Sequence, residues 1–190
     1  MFRDSLVKKD IPRFEKWKKA GVLKDYQILF NWFVDENTWD AAALLTFHKY
    51  ADVSRWREVE TISPGGLSDE TLRLGAANNT YSVDLTWHGA APIANAEAGK
   101  RVFFVIPYDV VSLDEYKPYA AGYVIPQMEG WIKEGVLSSY SLYLNRYYAG
   151  KPWDALLVLE YKDMESFGQR DKRRREGAGG AQRRCQMEGV

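Results

Sequence analysis

Two stretches decide the fold: Ile11–Ala41, IPRFEKWKKAGVLKDYQILFNWFVDENTWDA, and Ile125–Ala155, IPQMEGWIKEGVLSSYSLYLNRYYAGKPWDA. They align without a gap at one offset of 114 residues. Ile11-Pro12 matches Ile125-Pro126, Trp17 matches Trp131, and Gly21-Val22-Leu23 matches Gly135-Val136-Leu137. Further along, Tyr26 matches Tyr140, Asn31 matches Asn145, and Trp39-Asp40-Ala41 matches Trp153-Asp154-Ala155. Self-similarity held at a fixed period is the mark of a repeated structural unit. The repeated core runs over residues 11–47 and 125–161.

The second copy is the more complete. Arg101 to Tyr108, RVFFVIPY, is an apolar run that predicts a strand buried on both faces. Ser112 and Glu115 have capping-box spacing and open a helix whose apolar positions, Leu113, Tyr116, Ala120, Tyr123, Val124, Met128 and Trp131, recur at helical intervals. Pro118 and Pro126 are expected to kink or interrupt that helix, and Gly135 to end it. Val136 to Tyr147 and Trp153 to Tyr161 then read as two antiparallel strands around a turn at residues 149–152, with a short helix from Met164. The first copy repeats this from its helix onward. It adds residues 80–88, where Tyr81, Val83, Leu85 and Trp87 alternate with polar residues as in a half-buried edge strand.

Combined, the copies predict an α+β chain of two ferredoxin-like βαββαβ units in tandem. The first unit covers residues 1–88 and lacks its first strand; residues 89–100 are a linker. The second covers 101–168 and lacks its last strand. Residues 169–190, QRDKRRREGAGGAQRRCQMEGV, have the composition of a disordered basic tail. The missing strands lead us to expect an open reading frame that is a fragment, with a start codon too far downstream and an altered frame near the C-terminus. Another chain supplying the missing strand is the alternative.

Composition excludes several classes. The 26 basic and 26 acidic residues balance, so no overall field draws nucleic acid or an anionic membrane. The run Arg170 to Arg175 reads as a solvated charge cluster. The single cysteine, Cys185, rules out an intrachain disulfide framework or a multi-cysteine metal site, and the two histidines have no metal spacing. No metal and no cofactor is expected. No stretch approaches the ~18 apolar residues of a membrane span, and residues 1–20 are too charged for a secretory signal. The default location is cytoplasmic, with the reservation that an upstream signal peptide would have been lost with a missing N-terminus. Ser63-Pro64-Gly65-Gly66 lacks phosphate-loop spacing.

Tandem units whose helix ends W-x-x-x-G-V-L, followed by a tyrosine-bearing strand and a W-D-A hairpin strand, resemble the dimeric α/β-barrel superfamily in its fused, pseudo-dimeric form. The resemblance covers residues 1–168. It implies two sheets facing one another around a cavity, with helices outside. It also implies activities as different as cofactor-free monooxygenases, haem-degrading enzymes, muconolactone isomerases and stress-responsive barrels, among which fold does not choose.

Strand alternation places candidates on the face such a cavity would use. In the first copy Gln27, Leu29, Asn31 and Phe33 share it, and in the second Ser141, Tyr143, Asn145 and Tyr147. Thr46 and His48, or Val158 and Glu160, join them from the partner strands, while Tyr26 and Tyr140 face the helices. Asn31 and Asn145 are catalytic candidates because an inward amide can hold a carbonyl or peroxide oxygen. The resemblance supports this, since cofactor-free monooxygenases of the superfamily use Asn, Trp and Tyr. His48 is the candidate for proton transfer or haem ligation, as histidine is the residue type that titrates near neutral pH and also binds metals, although two histidines at unrelated positions give no basis for invoking the haem-degrading relatives. His88 is expected to be exposed at a strand end. Tyr143, Tyr147, Phe33 and Glu160 are the ligand-lining candidates. The expected partner is a small hydrophobic or aromatic ligand, as for a cofactor-independent monooxygenase or isomerase. The alternative is a non-catalytic scaffold forming a homo-oligomer through open sheet edges.

Overall fold

The computed structural model describes residues 1–36, 38–77, 79–92, 99–147 and 153–170. The turn expected at 149–152, half of the linker and nearly all of the tail lie outside these residues. The chain is α+β and forms two compact units, Met1–Thr80 and Tyr81–Val190.

In the first unit, α1 (Phe2–Ser5) passes through a π-helical turn (Leu6–Asp10) into α2 (Ile11–Lys19). The second unit holds the same sequence of elements 114 residues on: α5 (Leu113–Tyr119), a π turn (Ala120–Val124) and α6 (Ile125–Lys133). Ser112 caps α5 through the N–H of Asp114, one residue short of the expected box. Between Pro118 and Pro126 the α-helix is interrupted, as expected, by the π turn, but helical structure continues through it; Pro12 and Pro126 each stand one residue beyond their π turn, where one extra residue accommodates the missing proline N–H.

Both helices end the same way. The N–H of Gly21 bonds the carbonyl of Lys18 (3.0 Å) and that of Val22 the carbonyl of Trp17 (2.9 Å); Gly135 and Val136 bond Ile132 and Trp131 alike (3.0 Å each). This Schellman closure needs a left-handed residue, and Gly21 (φ 66°) and Gly135 (φ 71°) provide it. The W-x-x-x-G-V-L pattern is therefore a helix stop: the tryptophan accepts, the glycine turns, and the valine donates.

Strand β1 (Asp25–Phe30) pairs with β2 (Ala41–Thr46) in an antiparallel hairpin, Asp25 opposite Thr46 and Phe30 opposite Ala41. A 3-10 turn (Tyr50–Asp52), α3 (Val53–Ile62), a second 3-10 turn (Pro64–Gly66) and α4 (Asp69–Leu72) complete the unit. Its core is aromatic: Phe14, Leu23 and Trp56 are buried, and Phe14 stacks on Tyr26 with ring centroids 5.5 Å apart. One buried polar knot ties α4 to the helix. Asp10, fully buried, accepts from the N–H of Ser68 (2.7 Å) and the hydroxyl of Thr71 (2.5 Å), and Thr71 also meets the Ser5 hydroxyl (2.8 Å).

The second unit carries a four-stranded antiparallel sheet in the order β3-β5-β6-β4, from β3 (Val83–Ala90), β4 (Val102–Tyr108), β5 (Ser139–Asn145) and β6 (Ala155–Tyr161). Helical residues 164–170 follow. One sheet face packs on α5 and α6: Tyr140, Leu142 and Leu144 of β5 and Leu157, Leu159 and Tyr161 of β6 join Tyr116, Val124 and Met128 in one core. Tyr26 and Tyr140 thus lie against the helices, as alternation requires.

Strand β3 differs from expectation. It is an edge strand, but it pairs with β5, so the units divide between Thr80 and Tyr81 and not after residue 88. Alternation identifies an edge strand without choosing its neighbour.

Candidate functional site

The site worth describing forms where β3 crosses β5, and a β-bulge makes it. The register shifts between Leu85 and Trp87: Leu85 lies opposite Tyr143, Trp87 opposite Leu142, and His88 opposite Ser141. One inserted residue exchanges the two faces of a strand. The apolar alternation of Leu85 and Trp87 is accordingly split. Trp87 joins the helix-side core, while Leu85, half exposed, stays on the other face with Tyr143. His88 is turned onto that same face. Its Nδ1 lies 2.8 Å from the carbonyl oxygen of Tyr140 and 3.0 Å from Ser141 Oγ. A carbonyl can only accept, so Nδ1 is the donor here, and Nε2 is the ring nitrogen left to face a ligand.

Tyr143 is half-buried, and its phenol pKa is pushed up by burial, opposed by a hydrogen bond with Ser141. It therefore remains a hydrogen-bond donor across the neutral range. His88 and Tyr143 are diagonal neighbours on one face, on the order of 7 Å apart. An imidazole acceptor, a hydroxyl and a phenol donor thus border the Leu85 side chain. Across the sheet the same face continues with Leu156, opposite Tyr143, and Val158, opposite Ser141.

Of the residues expected from sequence, Tyr143 and Asn145 share this face of β5, and Glu160 lies on β6 opposite Ser139. Glu160 accepts from Ser139 Oγ (2.7 Å) and from Arg101 (2.9 Å), four residue pairs along from Tyr143, which is on the order of 13 Å. Asn145 is buried and committed to its own hairpin: Nδ2 donates to the Trp153 carbonyl (3.1 Å), and Oδ1 accepts from the N–H of Tyr147 (3.1 Å). Asn31 does the same with Trp39 (3.0 Å) and Phe33 (3.2 Å). Both amides act as clasps that hold the two strands of a hairpin together at the loop. Tyr147 is half exposed beyond the end of β5, and Phe33 is 83% exposed in the β1–β2 loop. His48 is exposed just past β2 in the first unit.

Ser141 stands on the face that alternation gave it, and His88 is exposed as expected, but its place beside Ser141 and Tyr143 was not foreseen. The signal was a histidine in an alternating edge strand, but only the bulge shows which face it takes.

A groove of about 380 Å³ lies elsewhere in this unit, lined by Asp84, Thr86, Leu113, Lys117, Asn145 and Arg146 among others. Arg146 pairs with Asp84 across it. Among the described residues no group of three or more His, Cys, Asp or Glu side chains could hold a metal ion, and no helix is long and apolar enough to cross a membrane. Comparison with known proteins gives no match: no protein family, no curated protein and no solved structure is similar to this chain.

Proposed function

We propose that the chain is a duplicated α/β-barrel-type protein that binds a small aromatic or hydrophobic ligand against the β3–β5 face of its second unit. The observation that carries this reading is the bulge, which brings His88, Ser141 and Tyr143 together beside Leu85 on a face where plain alternation would have turned His88 away. Bulges recur beside active sites for this reason. A ligand carrying both a carbonyl and a hydroxyl would stack on Tyr143 and Leu85, accept from the Tyr143 phenol through its carbonyl and donate its hydroxyl to His88 Nε2. A donor and an acceptor so placed suit proton transfer next to a carbonyl, the chemistry of an isomerase or of a cofactor-independent oxygenase.

The duplication and the ferredoxin-like plan are part of this reading. Supporting them, the π turns, the Schellman closures, the asparagine clasps and the strand starts all recur 114 residues apart. The order β5-β6-β4 is also that of a split βαββαβ unit. A second reading, an assembly scaffold, rests on β3 and β4, each of which has, among the described residues, a strand neighbour on one side only.

The test is NMR chemical-shift mapping with phenol, indole and naphthol. Shifts centred on Leu85, His88, Ser141 and Tyr143, with affinity lowered at least tenfold in Tyr143→Ala, are expected. Shifts that avoid this face for all three compounds would refute the reading.

A further inference from the structure

Residues 31–40 connect β1 to β2 with the sequence NWFVDENTWD, of which Asn37 is not described. Trp32 is 68% exposed, Phe33 83%, Val34 51% and Trp39 42%. Large apolar side chains this exposed and this close in sequence mark a contact surface. The loop is braced from within. The Asn31 amide clasps Trp39 and Phe33, the Thr38 hydroxyl accepts from the N–H of Asp35 (2.9 Å), and the N–H of Thr38 bonds the Asp35 carbonyl (3.3 Å). Aromatic groups held in place lose little entropy on binding.

The charge of the loop restricts what can bind there. It carries Asp35, Glu36 and Asp40 and no Lys or Arg. An anionic lipid surface is repelled by three carboxylates, whereas a guanidinium is attracted both by carboxylates and by the faces of Trp and Phe. The chain itself contains such a segment: residues 171–184, DKRRREGAGGAQRR, with six Lys or Arg, two acids and no aliphatic side chain larger than alanine. The chain already uses this contact, since Arg170 lies over the rings of Phe104 (4.4 Å) and Phe167 (4.9 Å).

We propose that the β1–β2 loop of one copy docks the arginine-rich segment 171–184 of a second copy, with Trp32, Phe33 and Trp39 taking the guanidinium groups and Asp35, Glu36 and Asp40 balancing their charge. Asn31 is then a positioning residue, holding the loop in its presenting form.

A synthetic peptide of residues 169–190, labelled with a fluorophore through Cys185, is titrated with the full chain, and its anisotropy is read. Saturable binding is expected, weakened at least tenfold in Trp32→Ala/Phe33→Ala. The aromatic-preserving variant Asp35→Asn/Glu36→Gln/Asp40→Asn is expected to weaken it to a similar degree, as is raising salt from 50 to 300 mM. In sedimentation equilibrium the full chain should self-associate with concentration, and Arg173→Glu/Arg174→Glu/Arg175→Glu should remain monomeric. Failure of the peptide to bind, binding by either loop variant as tight as by wild type, or a wild-type chain monomeric at every concentration would each overturn the proposal. So would vesicles of phosphatidylserine binding the loop in place of the peptide.

Discussion

Replacing Asp10 by valine gives the first unit the residue that stands at the matched position of the second, Val124. The substitution conserves size and separates packing from hydrogen bonding. Asp10 is fully buried and accepts two hydrogen bonds, from the Ser68 N–H at 2.7 Å and the Thr71 hydroxyl at 2.5 Å. Hydrogen bonds to a charged acceptor contribute about 1.5–3 kcal/mol each. The losses are unequal. The Thr71 hydroxyl can turn to Ser5 or Ser68, whose oxygens lie 2.8 and 3.1 Å away, whereas the Ser68 N–H loses its bond to Asp10. Valine also removes the cost of burying a carboxylate, which offsets part of the loss. The net destabilisation expected is about 2–4 kcal/mol, which in a unit of this size lowers Tm by roughly 10–20 °C. Asp10→Asn, which keeps an acceptor for Ser68, should fall in between. Thermal and urea unfolding followed by near-UV circular dichroism, which reports the Phe14–Trp17–Trp56 cluster, measures all three proteins. A valine variant within about 0.5 kcal/mol of wild type would show that the knot fills space and does not anchor α4.

At Gly66 (φ 76°) an added Cβ would lie 2.8 Å from Trp56, 3.0 Å from Trp17 and 3.1 Å from Phe14, so Gly66→Ala combines left-handed strain with overpacking and should cost about 2–5 kcal/mol in urea unfolding. Gly21→Ala, equally left-handed (φ 66°) but with open space around it, should cost only about 1–2 kcal/mol, and equal losses would contradict the packing account. The Tyr116 phenol, buried without a hydrogen-bond partner, has its pKa pushed up to about 12, chiefly by burial and then by Tyr108 and Tyr119. Because the folded value lies above the unfolded one, its contribution is complete below pH 10 and is lost at about 1.4 kcal/mol per pH unit as the pH rises toward 12. Tyr116→Phe should match or exceed wild-type stability at pH 7 and lose stability less steeply above pH 10. An unchanged slope in urea unfolding across that range would refute the assignment.

What was legible in the sequence is what is settled locally. The W-x-x-x-G-V-L stop depends on six consecutive backbone positions and one left-handed glycine, and the hairpins on alternation and a closing asparagine, so both are visible in a short window. Features that join distant segments were not visible. Asp10 is an isolated acid in a basic stretch until Ser68, 58 residues away, closes on it. The π turns were hidden because helical periodicity tolerates one extra residue, and two prolines looked like breaks. The candidate site failed to show for the same reason. Nothing in YSVDLTWHGA marks Thr86 as the position where register slips, and without the slip His88 and Tyr143 do not share a face.

The matched positions also separate structural from chemical residues. Several residues identical in the matched segments have structural tasks: glycine at the helix stops, asparagine at the hairpins, and tyrosine bonded to the glutamate eleven positions before it. Identity across the repeat, which first drew attention to Asn31 and Asn145, therefore measures what any copy needs in order to fold. The β3–β5 site has the opposite character. Ser141 and Tyr143 match Gln27 and Leu29, and Leu29 is buried and apolar. His88 lies in a strand that serves one sheet alone. Folding both units does not require the hydroxyl, the phenol or the imidazole, since the first unit closes its own helix and hairpin without them. Groups that only one copy possesses, gathered by a bulge that simple alternation would not produce, are where a function separate from folding can reside.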